Sequence, residues 1–142
     1  MESERREKLD LLLKGGRVID PANNVNGVRD VGIREGKIAW VEEAIPAGEA
    51  ERVVNVSGLL VTPGLLDIHI HAYITRQPRG LGLYMGSLNA DAHFLGSGVT
   101  TCVDTGSAGS EEIGHFRETV IEGAVTRILA YVNISAPGMG DP

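Results

Sequence analysis

Leu65-Leu66-Asp67-Ile68-His69-Ile70-His71 separates two different kinds of sequence in this chain. Before it, short apolar runs alternate with turn residues. Leu11, Leu12 and Leu13 run into Gly15-Gly16, Arg17-Val18-Ile19 follows, and Asp20-Pro21-Ala22-Asn23-Asn24 has the composition of a loop. Val31 and Ile33 alternate with smaller or polar neighbours up to Glu35-Gly36, and Ile38 and Trp40 resume the alternation, the pattern of a β-hairpin. Arg52 to Val56 and Leu59 to Val61 repeat that arrangement around Ser57-Gly58. Residues 10–62 are therefore expected to form a small antiparallel β-sandwich module, preceded by a charged tail over residues 1–9.

After the dividing stretch the spacing lengthens. Residues 65–71 read as a short strand, and residues 72–87 as a long glycine-rich loop. A helix follows in which Leu88, Ala92 and Leu95 share one face, ended by Gly96 and Gly98. Val99 to Asp104 is a second strand. Ser110 can cap the next helix, Glu111 and Glu112 suit its dipole, and Ile113, Phe116 and Val120 form its buried stripe before Gly123. Arg127 to Asn133 is a third strand with apolar residues on both faces. Strands alternating with single helices predict a parallel α/β sheet over residues 63–142.

Composition narrows the function. The 142 residues are 42% hydrophobic, 23% charged and 4% aromatic, with 19 glycines and a net charge of −6. That balance excludes intrinsic disorder, and the acidic charge argues against nucleic acid as a partner. No apolar run is long enough to span a bilayer, and the charged N-terminus is not a signal or transit peptide. The single cysteine, Cys102, fits a reducing cytoplasm.

The sharpest chemical feature is Asp67-Ile68-His69-Ile70-His71. Alternation along a strand puts residues 67, 69 and 71 on one face and the two isoleucines on the other, where helices can cover them. The two histidines stand about 7 Å apart at their backbones and can converge on one metal ion with bonds of about 2 Å. They lie at the C-terminal end of a parallel strand, where α/β folds carry their sites. Two inward histidines hydrogen-bonded in a polar core would satisfy the same spacing.

Val61-Thr62-Pro63-Gly64-Leu65-Leu66-Asp67-Ile68-His69-Ile70-His71, behind a glycine-rich β module, resembles the opening of the amidohydrolase superfamily. Residues 11–20 (LLLKGGRVID) and 30–41 (DVGIREGKIAWV) are similar to the N-terminal strands of its hydantoinase and dihydroorotase-like branches. Residues 90–95 (ADAHFL), 98–101 (GVTT), 104–109 (DTGSAG) and 127–135 (RILAYVNIS) are similar to a bacterial amidohydrolase/deacetylase subgroup. The resemblance implies a (β/α)₈ TIM barrel, of which residues 63–142 would supply the first three strands. It also implies a metal-dependent hydrolase with one or two zinc ions, His69 and His71 being the first pair of ligands. The remaining ligands and the proton-transferring aspartate belong to later strands, beyond Pro142, so the chain is expected to be the N-terminal part of a longer protein. A small-molecule amide or ester is the implied substrate, with room for a homo-oligomer and no membrane partner.

Asp67 can orient one imidazole by accepting its N–H, or can bond neighbouring groups in the barrel floor. Arg76 and Arg79 can grip a substrate carboxylate from the long loop, or be solvated. Asn133 is a further candidate at the end of the third strand. Thr105 to Ser110 can present amides to an anion or be a plain tight loop. His93 reads as a packing or capping residue, His115 as solvent-facing and Cys102 as a buried inert thiol. Two other functions fit the same residues: a dihydroorotase- or dihydropyrimidinase-type cyclic amide hydrolase, and a non-catalytic partial-barrel scaffold.

Overall fold

The structure, a computed structural model, describes residues 7–74 and 88–139. It divides into two compact units, Met1–Pro63 and Gly64–Pro142. Among the described residues no helix is long and apolar enough to cross a membrane.

The first unit is one mixed sheet built on a 12-residue strand, β1 (Leu9–Asp20). Antiparallel to it runs β2 (Val25–Arg34), which turns at Glu35-Gly36 into β3 (Lys37–Glu42). Both turn residues have positive φ, 51° and 69°, the combination a two-residue type I′ hairpin requires. Leu9 and Leu12 are fully buried with Ile45 and Ala50, and Ala39 and Trp40 pack against them.

Two expectations for this unit are corrected. β1 is continuous where Gly15-Gly16 reads as a break, because Gly15 takes φ +76° and forms a bulge that shifts register between Leu13 and Gly16. Nor is the unit purely antiparallel. β4 (Ala50–Asn55) and β5 (Leu60–Val61) both lie parallel to β1, on either side of the bulge, instead of pairing with each other. The backbone explains this: Val56 donates to the Lys14 carbonyl and Arg17 to the Leu59 carbonyl, so residues 56–59 step past the bulge along the same strand. A turn at Ser57-Gly58 looks the same in sequence whether the chain reverses or steps onward.

Asp30, buried on β2, fastens the bulge. Its Oδ1 accepts the Gly15 N–H at 2.8 Å, and its Oδ2 accepts the Ile45 N–H at 2.9 Å and Lys14 Nζ–H at 2.7 Å. Burial alone would raise its pKa, but the bonds from Ile45, Lys14 and Gly15 hold it below the ordinary carboxylate value.

The second unit is mixed α/β. Its parallel sheet has the order β6 (Leu65–Ile70), β7 (Val99–Asp104), β8 (Arg127–Ala130). Between β6 and β7 lies α1 (Ala90–Phe94), capped by Asn89 Oδ1, which accepts the Ala92 N–H at 3.0 Å. Between β7 and β8 lies α2 (Ile113–Phe116), continued by a π turn over Arg117–Ile121. Asp91 ties α1 to the start of β8 by accepting the N–H groups of Val125 and Thr126 at 2.9 and 2.7 Å, bonds that lower its pKa. Ile70, Cys102 and Ile128, one from each strand, meet Phe94 and Phe116 in the core.

Several details differ from the sequence reading. α1 buries Ala90 and Phe94, one turn apart, while Ala92 and Leu95 are exposed. Phenylalanine offers the larger apolar surface and sets which face turns inward. Glu112, not Ser110, precedes α2, and it makes no side-chain cap bond. β8 ends at Ala130, and Tyr131 and Val132 beyond it are exposed. The sheet is not buried on both faces among the described residues: Ile70 is 6% exposed, but Ile68, on the edge strand β6, is 68% exposed. The loop expected over residues 72–87 lies largely outside the described residues.

Candidate metal centre at the C-terminal ends of the parallel strands

His69 and His71 sit at the C-terminal end of β6 with ring centroids 5.5 Å apart and planes at 85°. Period-two alternation brings the rings together. His69 is exposed and His71 half-buried. Among the described residues no third histidine, cysteine or carboxylate joins them in a group able to hold a metal.

His71 is anchored from the loop that follows the neighbouring strand. Its Nδ1 lies 3.0 Å from Ser107 Oγ, and that hydroxyl donates to Asp104 Oδ2 at 2.7 Å. Asp104 ends β7 and is fully buried. Its Oδ2 also accepts the Ala72 N–H at 2.7 Å, and its Oδ1 accepts the N–H groups of Gly106 and Ser107 at 3.1 and 2.7 Å. The amides of the 105–110 loop expected to face an anion are thus partly used by the chain's own carboxylate. The sequence reading missed Asp104 and Ser107 as site residues. The available signal was an aspartate closing a strand and followed by Gly-Ser, an arrangement that favours a side chain folding back onto loop amides.

The other candidates fall as follows. Asp67 Oδ1 accepts the backbone N–H of His69 at 3.0 Å, so its observed bond is to the strand and not to an imidazole. Asn133 braces the loop that carries Ser107: its Nδ2 donates to the Gly106 carbonyl at 2.7 Å, and its Oδ1 accepts the Ser135 N–H at 2.9 Å. Arg76 and Arg79 lie outside the described residues. His93 is exposed on α1 instead of packed. His115 is half-buried instead of solvent-facing, because its Nδ1 meets the Tyr73 hydroxyl at 2.8 Å. That hydroxyl donates to buried Glu112 at 2.7 Å, and the Tyr73 ring stacks on Phe116. Cys102 is fully buried, and burial, with the carboxylates of Asp67, Asp104 and Asp91, pushes its thiol pKa up. It stays a neutral core residue.

The donor chemistry fits a divalent metal. Imidazole nitrogen suits zinc and its first-row neighbours, and the engagement of His71 Nδ1 by Ser107 leaves Nε2 as the ring nitrogen without a partner among the described residues.

No family model matches the chain. The dihydroorotase of Streptococcus pyogenes serotype M3 is 35% identical over 127 residues, which is 88% of this chain and 29% of that protein. A crystal structure of a dihydroorotase superposes with a TM-score of 0.65 and 29% identity, covering 90% of this chain and 32% of its own. The chain belongs to the amidohydrolase superfamily. Two further solved structures are similar to the chain. An adenine deaminase superposes with a TM-score of 0.70 at 30% identity, over 93% of this chain and 32% of its own. The N-acyl-D-glutamate deacylase from Bordetella bronchiseptica, in complex with zinc and a phosphonate inhibitor, superposes with a TM-score of 0.53 at 28% identity, over 73% of this chain and 19% of its own. This chain spans at most 32% of the length of any of these four proteins.

Proposed function

We propose that the protein is a zinc-dependent amidohydrolase that cleaves a C–N amide or an ester bond in a small molecule. The observation that carries this is the meeting of His69 and His71 at the C-terminal end of a parallel strand, with one ring fixed by a buried hydroxyl. His69 and His71 would hold one or two zinc ions together with ligands from outside these 142 residues. When bound, the metal supplies Lewis acidity that polarises a carbonyl and lowers the pKa of a water. The chain's own contribution is to orient: β6 presents both imidazoles on one side, Ser107 fixes the rotation of His71, and Asn133 holds the loop that carries Ser107.

The same reading makes β6, β7 and β8 the first three strands of a (β/α)₈ barrel, with residues 10–62 as a sandwich-like module ahead of it and residues 63–142 as the barrel's beginning. Among the described residues the outer edges of β6 and β8 have no strand partner, which supports it, since a closed barrel would pair them. We place the protein in the cytoplasm, where the reduced state of Cys102 is maintained, with a small-molecule substrate, self-association open to it, and neither nucleic acid nor membrane as a partner. The Streptococcus pyogenes relative favours a second reading, hydrolysis of a cyclic amide of the dihydroorotase type.

The test is metal analysis and hydrolysis assays on the full-length protein. Wild type should co-purify with zinc and cleave a linear N-acyl amino acid or a cyclic amide, the substrate choosing between the two readings. His69→Ala and His71→Ala should lose metal and activity together while keeping the fold by circular dichroism. Normal zinc content with both histidines replaced would refute the assignment. A wild type without metal or activity would point to a non-catalytic scaffold.

A further inference from the structure

The geometry points to Ser107 and Asp104 as positioning residues that fix the tautomer of His71, leaving Nε2 as its only metal-binding nitrogen. This rests on the reading of His71 as a metal ligand. The argument is a proton count. Asp104 receives four donors, the N–H groups of Ala72, Gly106 and Ser107 and the hydroxyl of Ser107, which occupy the four lone-pair positions of a carboxylate. A carboxyl proton would have no place, so Asp104 acts only as an acceptor. The one hydroxyl proton of Ser107 is therefore committed to Oδ2.

With that proton spent, Ser107 Oγ can only accept from His71, and Nδ1 must carry the hydrogen across the 3.0 Å contact. Nε2 then keeps its lone pair, as a metal ligand requires. Burial makes the arrangement rigid: Asp104 is 0% exposed and Ser107 is 1% exposed, so water does not compete for either group. The backbone bond from Ala72, the residue after His71, to the same carboxylate oxygen locks the end of β6 to the end of β7. Distance and direction are fixed together.

Two variants of the full-length protein test this with zinc as the probe and ¹⁵N chemical shifts of the His71 ring as the tautomer readout. In metal-free wild type, Nδ1 should show the protonated, pyrrole-type shift and Nε2 the pyridine-type shift. Ser107→Ala removes only the hydroxyl, and should give a mixture of tautomers and a zinc affinity lower by about 10- to 100-fold. Asp104→Asn keeps the size but puts an amide N–H₂ against Ser107 Oγ. The hydroxyl then turns to His71, and the ring proton should move to Nε2 with a comparable loss of zinc. A ring merely released to water also favours Nε2–H, so the variant counts as evidence only where its circular dichroism matches wild type and its Nε2–H fraction exceeds that of Ser107→Ala. An Nε2–H tautomer in wild type, or unchanged zinc affinity in folded Ser107→Ala, would overturn the inference. A wild type that holds the Nδ1–H tautomer yet binds no zinc would instead sink the metal reading and leave the hydroxyl's hold on the ring standing.

Discussion

Replacing Asp30 with alanine removes the acceptor for three donors in the first unit, the N–H groups of Gly15 and Ile45 and the ammonium of Lys14. Each backbone N–H left without a partner costs about 1–3 kcal/mol. The Lys14 side chain is 35% exposed and can turn to water, so its share is small. The two amides together give a loss of about 4 kcal/mol, close to the whole stability of a small domain. Trp40, the only tryptophan, packs against the core of this unit and reports its unfolding by fluorescence. With a urea slope of about 1.5 kcal/mol per M, the midpoint should fall by about 2.5 M. Asp30→Asn, with one acceptor oxygen in place of two, should fall between. The pH dependence has a definite sign. The pKa of Asp30 is lowered on folding, so its stabilisation is fully present above its ordinary value of 3.8 and is lost as pH falls through the lower, folded value. The gap between wild type and Asp30→Ala should therefore narrow as the pH falls from 3.8 to the folded value and stay constant below it. A midpoint within about 0.5 M of wild type at neutral pH would refute the reasoning, since even the smallest sum for two orphaned amides exceeds it.

Two other outcomes follow from the second unit. A Cβ on Gly109 would overlap the carbonyl oxygens of Ser135 and Ala136, both backbone atoms that no side-chain rotation can move, so Gly109→Ala should destabilise the unit by about 2–3 kcal/mol in chemical denaturation; an unchanged midpoint would mean these loops are not held together. Cys102, buried and with its thiol pKa raised, should react with a thiol reagent only after unfolding, at a rate that follows the urea transition, and rapid labelling of native protein would contradict the packing.

The candidate site was legible in part. The His69-x-His71 spacing carries enough information to bring the two imidazoles together, because residues two apart in extended chain share a side, although β6 is irregular between Asp67 and Ile70. The anchoring of His71 was not legible. Ser107 stands 36 residues away, and its role depends on the register of β6 against β7, which has irregularities between Leu65 and Leu66 and again between Asp67 and Ile70. In the first unit the hairpin at Glu35-Gly36 could be read because the turn is local, whereas parallel pairing of β4 and β5 with β1 rests on contacts between distant segments. The facing of α1 was misread because a helix of five residues is too short for periodicity to outweigh one buried phenylalanine.

The sharing of β1 among three partners has a consequence for how the first unit assembles. β2 follows β1 directly and can zip against it after a short loop closes, but Leu9 meets Ala50, and Arg17 meets Leu60, only after a much longer stretch of chain has been gathered in. The entropy of closing those longer loops falls before any of their hydrogen bonds repay it. The loop lengths predict an ordered assembly in which the β1–β2–β3 meander forms first, with one flank of β1 bare, and β4 and β5 arrive later on either side of the glycine bulge. Until they do, the longest strand among the described residues is an open template for any passing extended segment. The brevity of β5, at two residues, leaves part of that flank lightly covered even at the end.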